Sequence, residues 1–125
     1  MNKYNKGLFE STDFKHIDIS DWDVSKVENM ERTFYCCYEL ESVGNLSKWD
    51  VSKVIYMGGM FFGCENFNQD ISGWNVSSVK NMQSMFYGCT YFNQDISNWD
   101  VSKVRHHEFM FYNCLIKEEY KPKFK

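Results

Sequence analysis

The sequence lacks the apolar segments that would place it in a membrane or direct its export. No stretch approaches the roughly 18 consecutive apolar residues that a membrane-spanning helix needs. The N-terminal residues also lack the apolar run of about seven or more residues that marks a secretory signal. We therefore predict a cytoplasmic protein. The alternative is a cell-surface protein whose leader is not part of this chain.

The sequence also has little excess charge and none of the common catalytic motifs. A formal net charge of −3 provides no concentrated basic face, which argues against binding of nucleic acid through its phosphates. No G-x-S-x-G, P-loop or H-E-x-x-H motif occurs. His106 and His107 are adjacent, so on a helix they would point in different directions. We therefore predict that the chain is not an enzyme and holds neither a metal nor a cofactor.

Cysteine is present, but not in a pattern that suggests disulfides or zinc. The count is five, and no C-x-x-C pair occurs, which argues against a complete disulfide framework and against a zinc site. Four of the five cysteines occupy the same position in a sequence repeat, which is described in the next paragraph. This position indicates buried, reduced thiols that fill the interior. Oxidation is the alternative, because neighbouring Cα atoms about 5 Å apart would allow a disulfide. The four are Cys37, Cys64, Cys89 and Cys114.

The chain is rich in aromatic residues, at 18%, and they recur at a fixed period. Tryptophan recurs at spacings of 27, 25 and 25 residues, at Trp22, Trp49, Trp74 and Trp99. Valine follows each tryptophan two and five residues later, phenylalanine twelve later and cysteine fifteen later. A constant period in this range is typical of proteins built from stacked repeats.

The spacing inside each copy predicts one short strand and one short helix. The alternation at Trp-x-Val favours a strand, and the apolar residues that follow recur at helical spacing. Ser77 stands where it could cap a helix, and Gly63 and Gly88 stand where a left-handed residue could end one. The expected fold is α/β: a leucine-rich-repeat-like (LRR-like) solenoid of about four 25-residue strand–helix repeats with short parallel strands. Helices are expected near Lys26–Tyr35, Lys53–Phe62, Ser78–Tyr87 and Lys103–Tyr112.

The first copy is longer than the others, and the two ends of the chain depart from the repeat. Two extra residues lie between Cys37 and Trp49, yet Leu46 still aligns with Ile71, so we expect a bulged loop in an unbroken register. We predict an N-terminal cap at residues 1–16, a repeat solenoid at 17–114, and a C-terminal cap with a basic tail at 115–125.

The repeat resembles a known family. The run W-D-V-S-x-V-x-x-M-x-x-M-F-x-x-C-x-x-F-N-Q-D-I-S-x-W is similar to the BspA-like leucine-rich repeat of bacterial surface proteins. The similarity is closest over residues 49–73 and 74–98. This resemblance implies a non-enzymatic leucine-rich-repeat solenoid that serves in adhesion or in protein–protein contact.

One column of polar residues provides the main candidate binding surface. An acidic or amide residue separates Trp from Val in every copy, and we expect it to project from the strand-lined face. The column could bind a basic or polar partner, but we favour hydrogen bonds to backbone N–H groups of the loops. The candidate protein-binding residues are these four and two that depart from the repeat in the last copy: Asp23, Asp50, Asn75, Asp100, Arg105 and His106.

The predicted function is a protein–protein interaction module of the adhesion or scaffold type. Its expected partner is another protein, with no direct nucleic-acid partner, no membrane span, and self-association through the ends of the solenoid. The alternative is a small intracellular inhibitor from a phage or mobile element. Such an inhibitor would occlude a bacterial defence enzyme, as anti-CRISPR proteins do.

Overall fold

The computed structural model describes residues 6–124, and most of them lie in turns or in segments without regular secondary structure. Two 3-10 helices, Leu46–Lys48 and Glu118–Tyr120, are the helices of this part of the chain. Parallel pairing there is limited to isolated bridges: His16 with Ser42, Asn29 with Tyr56, Tyr56 with Asn81, and Asn81 with His106. The predicted α/β architecture is therefore wrong. No strand forms at Trp-x-Val, and turns replace the four helices expected near Lys26–Tyr35, Lys53–Phe62, Ser78–Tyr87 and Lys103–Tyr112.

Each copy folds into successive four-residue turns, closed by a hydrogen bond from the fourth N–H to the first carbonyl. In the third copy, Met85 N–H donates to the Met82 carbonyl at 3.1 Å, and Cys89 N–H donates to the Phe86 carbonyl at 3.0 Å. The first and fourth residues of these turns are fully buried. Apolar residues three apart are therefore buried together without a helix. The same spacing is typical of a helix face, which is why a helix was predicted.

Two positions in each copy have left-handed backbone, which a helix cannot contain. Gly59 has a φ of 62° and Gly63 a φ of 76°, each at the third position of a turn, where a positive φ is characteristic of type II turns. Gly63 and Gly88, which were expected to end helices, do have positive φ values, but they serve turns. The equivalent pairs are Gly7 and Ser11, Arg32 and Cys36, Gly59 and Gly63, Ser84 and Gly88, and Phe109 and Asn113.

The N–H groups that do not close turns connect each copy to the next. Gly59 N–H donates to the Gln83 carbonyl at 2.8 Å, and Phe61 N–H donates to the Met85 carbonyl at 3.0 Å. Alternate N–H groups thus close turns within a copy and join neighbouring copies, which satisfies the backbone without regular secondary structure. Each copy is therefore one layer of a stack, and "layer" is used below in this sense.

Aromatic rings form columns that run along the stack. Successive rings of the core column lie 5.5–5.8 Å apart, and this column consists of Phe9, Phe34, Phe61, Phe86 and Phe111. The rings of Trp49, Trp74 and Trp99 are stacked at 6.4 and 6.5 Å. Each of these indole N–H groups donates to a carbonyl of the preceding layer at 2.9–3.1 Å, so the polar atom of each large side chain is satisfied.

The cysteines of the column have free thiols, and three of the four are buried. Cys64 Sγ donates to the Phe34 carbonyl at 3.0 Å, and Cys89 Sγ donates to the Phe61 carbonyl at 2.9 Å. All five cysteines are free, and burial raises the pKa of the Cys64 and Cys89 thiols. The prediction of buried thiols is confirmed for Cys37, Cys64 and Cys89, whereas Cys114 is half-buried.

The described parts of both ends contact the stack. Phe9 stacks on Phe34 at 5.5 Å, so residues 7–11 add a partial layer before the first tryptophan copy. At the other end Ile116 is buried, and the ring of Phe124 lies 3.9 Å from that of His107. The predicted division at residues 16/17 and 114/115 stays a prediction, and residues 1–5 and 125 lie outside the described part.

Candidate functional site

The predicted polar column lies on turns, where its side chains bind the chain's own backbone. Asn75 Oδ1 accepts hydrogen bonds from the Ser77 N–H at 3.0 Å and the Ser77 hydroxyl at 2.6 Å. Serine was expected to cap a helix as an acceptor, but it is the donor here. The same Asx turn, in which an Asp or Asn oxygen accepts the N–H two residues on, recurs at Asp18, Asp23, Asn45, Asp50, Asn75, Asp70, Asp95 and Asp100.

These hydrogen bonds determine the electrostatics of the column. Hydrogen bonds from Ser25 lower the pKa of Asp23, and those from Ser52 lower the pKa of Asp50. Lys53 lowers the pKa of Asp50 further, whereas the like charge of Asp23 opposes this shift. The expectation that the column binds loop N–H groups is confirmed. Its role in binding a partner stays a prediction.

The other two candidate residues lie in the last layer, and both are exposed. His106 Nδ1 is 3.7 Å from Glu108 Oε1, and the Arg105 N–H donates to the Lys80 carbonyl at 2.8 Å. Lys80 also lines a shallow groove of about 390 Å³ together with Ser52, the Asx-turn partner of Asp50. Lys53 and Lys103 line the same groove, so its surroundings are more basic than the acidic face expected from sequence.

A second surface carries a continuous line of aromatic side chains. The rings of Tyr35 and Phe62 are 4.6 Å apart, those of Phe62 and Tyr87 are 4.5 Å apart, and those of Tyr87 and Tyr112 are 5.0 Å apart. These four residues are called the aromatic ladder below. The first three are half-buried, and Tyr112 is 53% exposed. Because the rings stack face to face, they present their edges to solvent.

A groove of about 260 Å³ lies beside the ladder, with Tyr35 and Phe62 among its lining residues. The Arg32 guanidinium is centred 4.0 Å from the Tyr35 ring and forms an ion pair with Glu10. Gly58 and Gly59 also line the groove. The surface thus combines ring edges, a fixed cation and an open concavity.

The ladder was missed at the sequence level, although a signal for it was present. Every copy has two consecutive aromatic residues, at Phe34-Tyr35, Phe61-Phe62, Phe86-Tyr87 and Phe111-Tyr112. The first member enters the core and the second joins the ladder. The expected helices ended at these second aromatics, so they were not considered as a column of their own.

Residues 6–124 provide neither a metal-binding cluster nor a membrane-spanning helix. No group of three or more His, Cys, Asp or Glu side chains within residues 6–124 could hold a metal ion. No helix in the described part of the chain is long and apolar enough to cross a membrane.

Comparison with known proteins identifies a family but no individual relative. Neither the curated proteins nor the solved structures include a match. Residues 3–122 match the family described as "Mycoplasma protein of unknown function, DUF285". The expected assignment to BspA-like leucine-rich repeats, and the solenoid of that type, are therefore wrong. The family match overturns the assignment, and the layers lack the strand and helix of a leucine-rich repeat. The chain belongs to the DUF285 family.

Proposed function

We propose that this chain is a protein-binding module and that its partner docks on the aromatic ladder and the adjacent groove. The observation that carries the proposal is the exposure of ring edges in a continuous ladder across four layers. Aromatic residues and arginine are enriched where proteins bind one another. They also dominate the energetics of such interfaces, because they fill pockets on a partner with little loss of conformational freedom.

The geometry of the ladder favours a protein over a flat-ring ligand. Rings 4.5–5.0 Å apart leave no room for a ligand between their faces. Their edges and the tyrosine hydroxyls remain available to side chains and backbone groups of a partner. Arg32 lies at the margin of the groove, where its guanidinium could meet an acceptor on that partner.

The polar column between Trp and Val, called the Asx-turn column below, supports a binding role less well. The carboxylates of Asp23 and Asp50 already accept hydrogen bonds from neighbouring serines. A partner would have to compete with these local bonds or share the remaining acceptor sites. The candidate set Asp23, Asp50, Asn75, Asp100, Arg105 and His106 therefore ranks second in this proposal.

The test is affinity capture from the organism that encodes the chain, followed by titration with the purified partner. We expect one stoichiometric partner, and Phe62→Ser with Tyr87→Ser should weaken its binding about tenfold or more. The control variant, Tyr91→Ser, removes a 59% exposed ring that lies outside the ladder, and it should bind normally. Thermal unfolding of each variant should confirm that the fold is retained.

A second double variant, Asp50→Lys with Asp100→Lys, separates the two surfaces. Normal binding by this variant and weak binding by the ladder variant support the proposal. The reverse result assigns binding to the Asx-turn column and contradicts it.

The identity of the partner would also separate the two kinds of module considered from the sequence. An extracellular or scaffold protein would indicate adhesion or assembly. A defence enzyme that loses activity on binding would indicate an inhibitor from a phage or mobile element. That the chain is not an enzyme stays a prediction. Self-association, which was also predicted, would use the ends of the stack rather than the groove beside Arg32.

A further inference from the structure

The last layer contains backbone N–H groups whose equivalents in every earlier layer donate to a carbonyl of the following layer. Ser84, Phe86 and Gly88 donate their N–H groups to the next layer at 2.8–2.9 Å. The equivalent N–H groups of the last layer have no acceptor within residues 6–124, and they belong to Phe109, Phe111 and Asn113. An unpaired row of N–H groups on a layered edge is a template for another chain.

The first layer carries the complementary acceptors. Gly7, Phe9 and Ser11 donate to the second layer, at the carbonyls of Glu31, Thr33 and Tyr35, at 2.8 Å each. The carbonyls that stand in the equivalent places of the first layer accept no hydrogen bond from residues 6–124, and they belong to Lys6, Leu8 and Glu10. The three N–H groups of the last layer therefore match the three carbonyls of the first layer in number, spacing and polarity.

We propose that the C-terminal edge of the stack is a docking surface for the N-terminal layer of a second copy of this chain. The register follows from the internal layers. Phe109 N–H pairs with the Lys6 carbonyl, Phe111 N–H with Leu8, and Asn113 N–H with Glu10 of the second copy. The core column continues as Phe9 of the second copy stacks on Phe111.

Apolar exposure at this edge supports the same occupant. Phe109 is 64% exposed, Tyr112 53% and Leu115 68%, so three large apolar side chains are exposed at this end of the stack. A second copy would place its Glu10 over Tyr112, at the ladder position of the next layer. Because donors and acceptors lie at opposite ends of each chain, the contact is head-to-tail and can propagate.

The C-terminal tail occupies part of this surface. The Phe124 ring stacks on His107 at 3.9 Å, and Lys121 Nζ lies 5.3 Å from the centre of the Phe111 ring. A cavity of about 300 Å³ remains between the tail and the last layer, and Phe109 and Pro122 are among its lining residues. The tail therefore competes with a second copy and must move for full stacking.

Sedimentation velocity over a concentration series tests the proposal on the chain of residues 1–125. Phe124→Ala removes the ring that holds the tail, and it should strengthen self-association about threefold to tenfold. In that background, Tyr112→Glu places a negative charge against Glu10 of the second copy, whereas Tyr112→Lys places a positive one. Association should be weak with glutamate and retained with lysine.

Two results overturn the proposal: a Phe124→Ala chain that is monomeric at all concentrations, or equal association of the glutamate and lysine variants. Amide exchange gives a second readout that does not depend on substitution. Exchange at Phe109, Phe111 and Asn113 should slow as concentration rises, while exchange at Gly59 stays constant. Phe62→Ser with Tyr87→Ser should leave self-association unchanged, which separates the edge contact from the part of the partner site at Phe62 and Tyr87.

Discussion

Left-handed residues are the local feature on which the turns depend most. Gly63 has a φ of 76°, and a Cβ added there would lie 3.2 Å from the Tyr38 ring. Non-glycine residues tolerate this conformation at a cost of about 1–2 kcal/mol. Cys36 and Asn113 adopt it at equivalent positions, so the site strains a side chain without excluding it.

We therefore predict that Gly63→Ala lowers the free energy of unfolding by about 1–3 kcal/mol, measured by urea denaturation. Gly73→Ala is the matched control, because a Cβ there meets no atom within 4 Å and its φ is not positive. It should be neutral or stabilise by about 0.4–1 kcal/mol through the unfolded chain. Equal destabilisation by both substitutions would contradict the assigned backbone conformation.

The Asx turns make stability depend on pH in the acid range. The Ser72 hydroxyl and N–H lower the pKa of Asp70 below its ordinary value of 3.8. Because the folded pKa is the lower one, the contribution to stability is present above the unfolded pKa and is lost as pH falls through the folded pKa.

Asp70→Asn should reduce the dependence of the unfolding free energy on pH below about pH 4. Asparagine keeps the acceptor oxygen, as Asn75 does in its own turn, so the variant should remain folded at neutral pH. Urea denaturation between about pH 2 and pH 7 provides the measurement. An unchanged acid slope would show that the Ser72 bonds do not favour the ionised carboxylate.

At the level of the layer, the sequence predicted the buried positions well. It predicted the backbone conformation between them poorly. Leu46 was aligned with Ile71 across the longer first copy, and the carbonyls of both accept an indole N–H from the next layer. Helices were wrong because apolar residues three apart suit both a helix and a turn closed from i to i+3. Hydrogen bonds such as Phe61 to Met85 join residues far apart in sequence, and no local pattern encodes them.

The position of a layer in the stack should determine how much its core phenylalanine contributes to the free energy of unfolding. Phe61 is fully buried and stacks at 5.5 Å on Phe34 and at 5.7 Å on Phe86. Phe111 is half-buried and has one neighbour in the core column, Phe86 at 5.8 Å. Phe61→Ala should cost about 3–5 kcal/mol in urea denaturation, and Phe111→Ala roughly half of that or less. Equal costs would mean that stacking between layers contributes little.

For the whole molecule, the repeat period was apparent but the number of layers was not. Phe9 lies 25 residues before Phe34, the same period that separates Phe61 from Phe86. The segment around Phe9 lacks the tryptophan and valine that mark the other copies, so the sequence predicts a cap there. The aromatic ladder was missed for a related reason, since a helix assignment gave no cause to align its members across layers.

The family assignment rested on the run from W-D-V-S to N-Q-D-I-S-x-W, and the family match shows that this run does not identify a BspA-like leucine-rich repeat. Many stacked-repeat proteins share a period of 20–30 residues, so the period alone does not identify the layer. The match of residues 3–122 to the DUF285 family, together with turns in place of strands and helices, corrects both the family and the fold.

Scalar couplings across backbone hydrogen bonds, measured by NMR on the isotope-labelled chain, test the stacked-turn fold most directly. The stack predicts a coupling from the Phe61 amide nitrogen to the Met85 carbonyl carbon, and one from Gly59 to Gln83. A helix over the same residues would instead couple Phe61 to Met57, four residues earlier. Detection of the Phe61–Met85 coupling would support the account, and a Phe61–Met57 coupling in its place would contradict it.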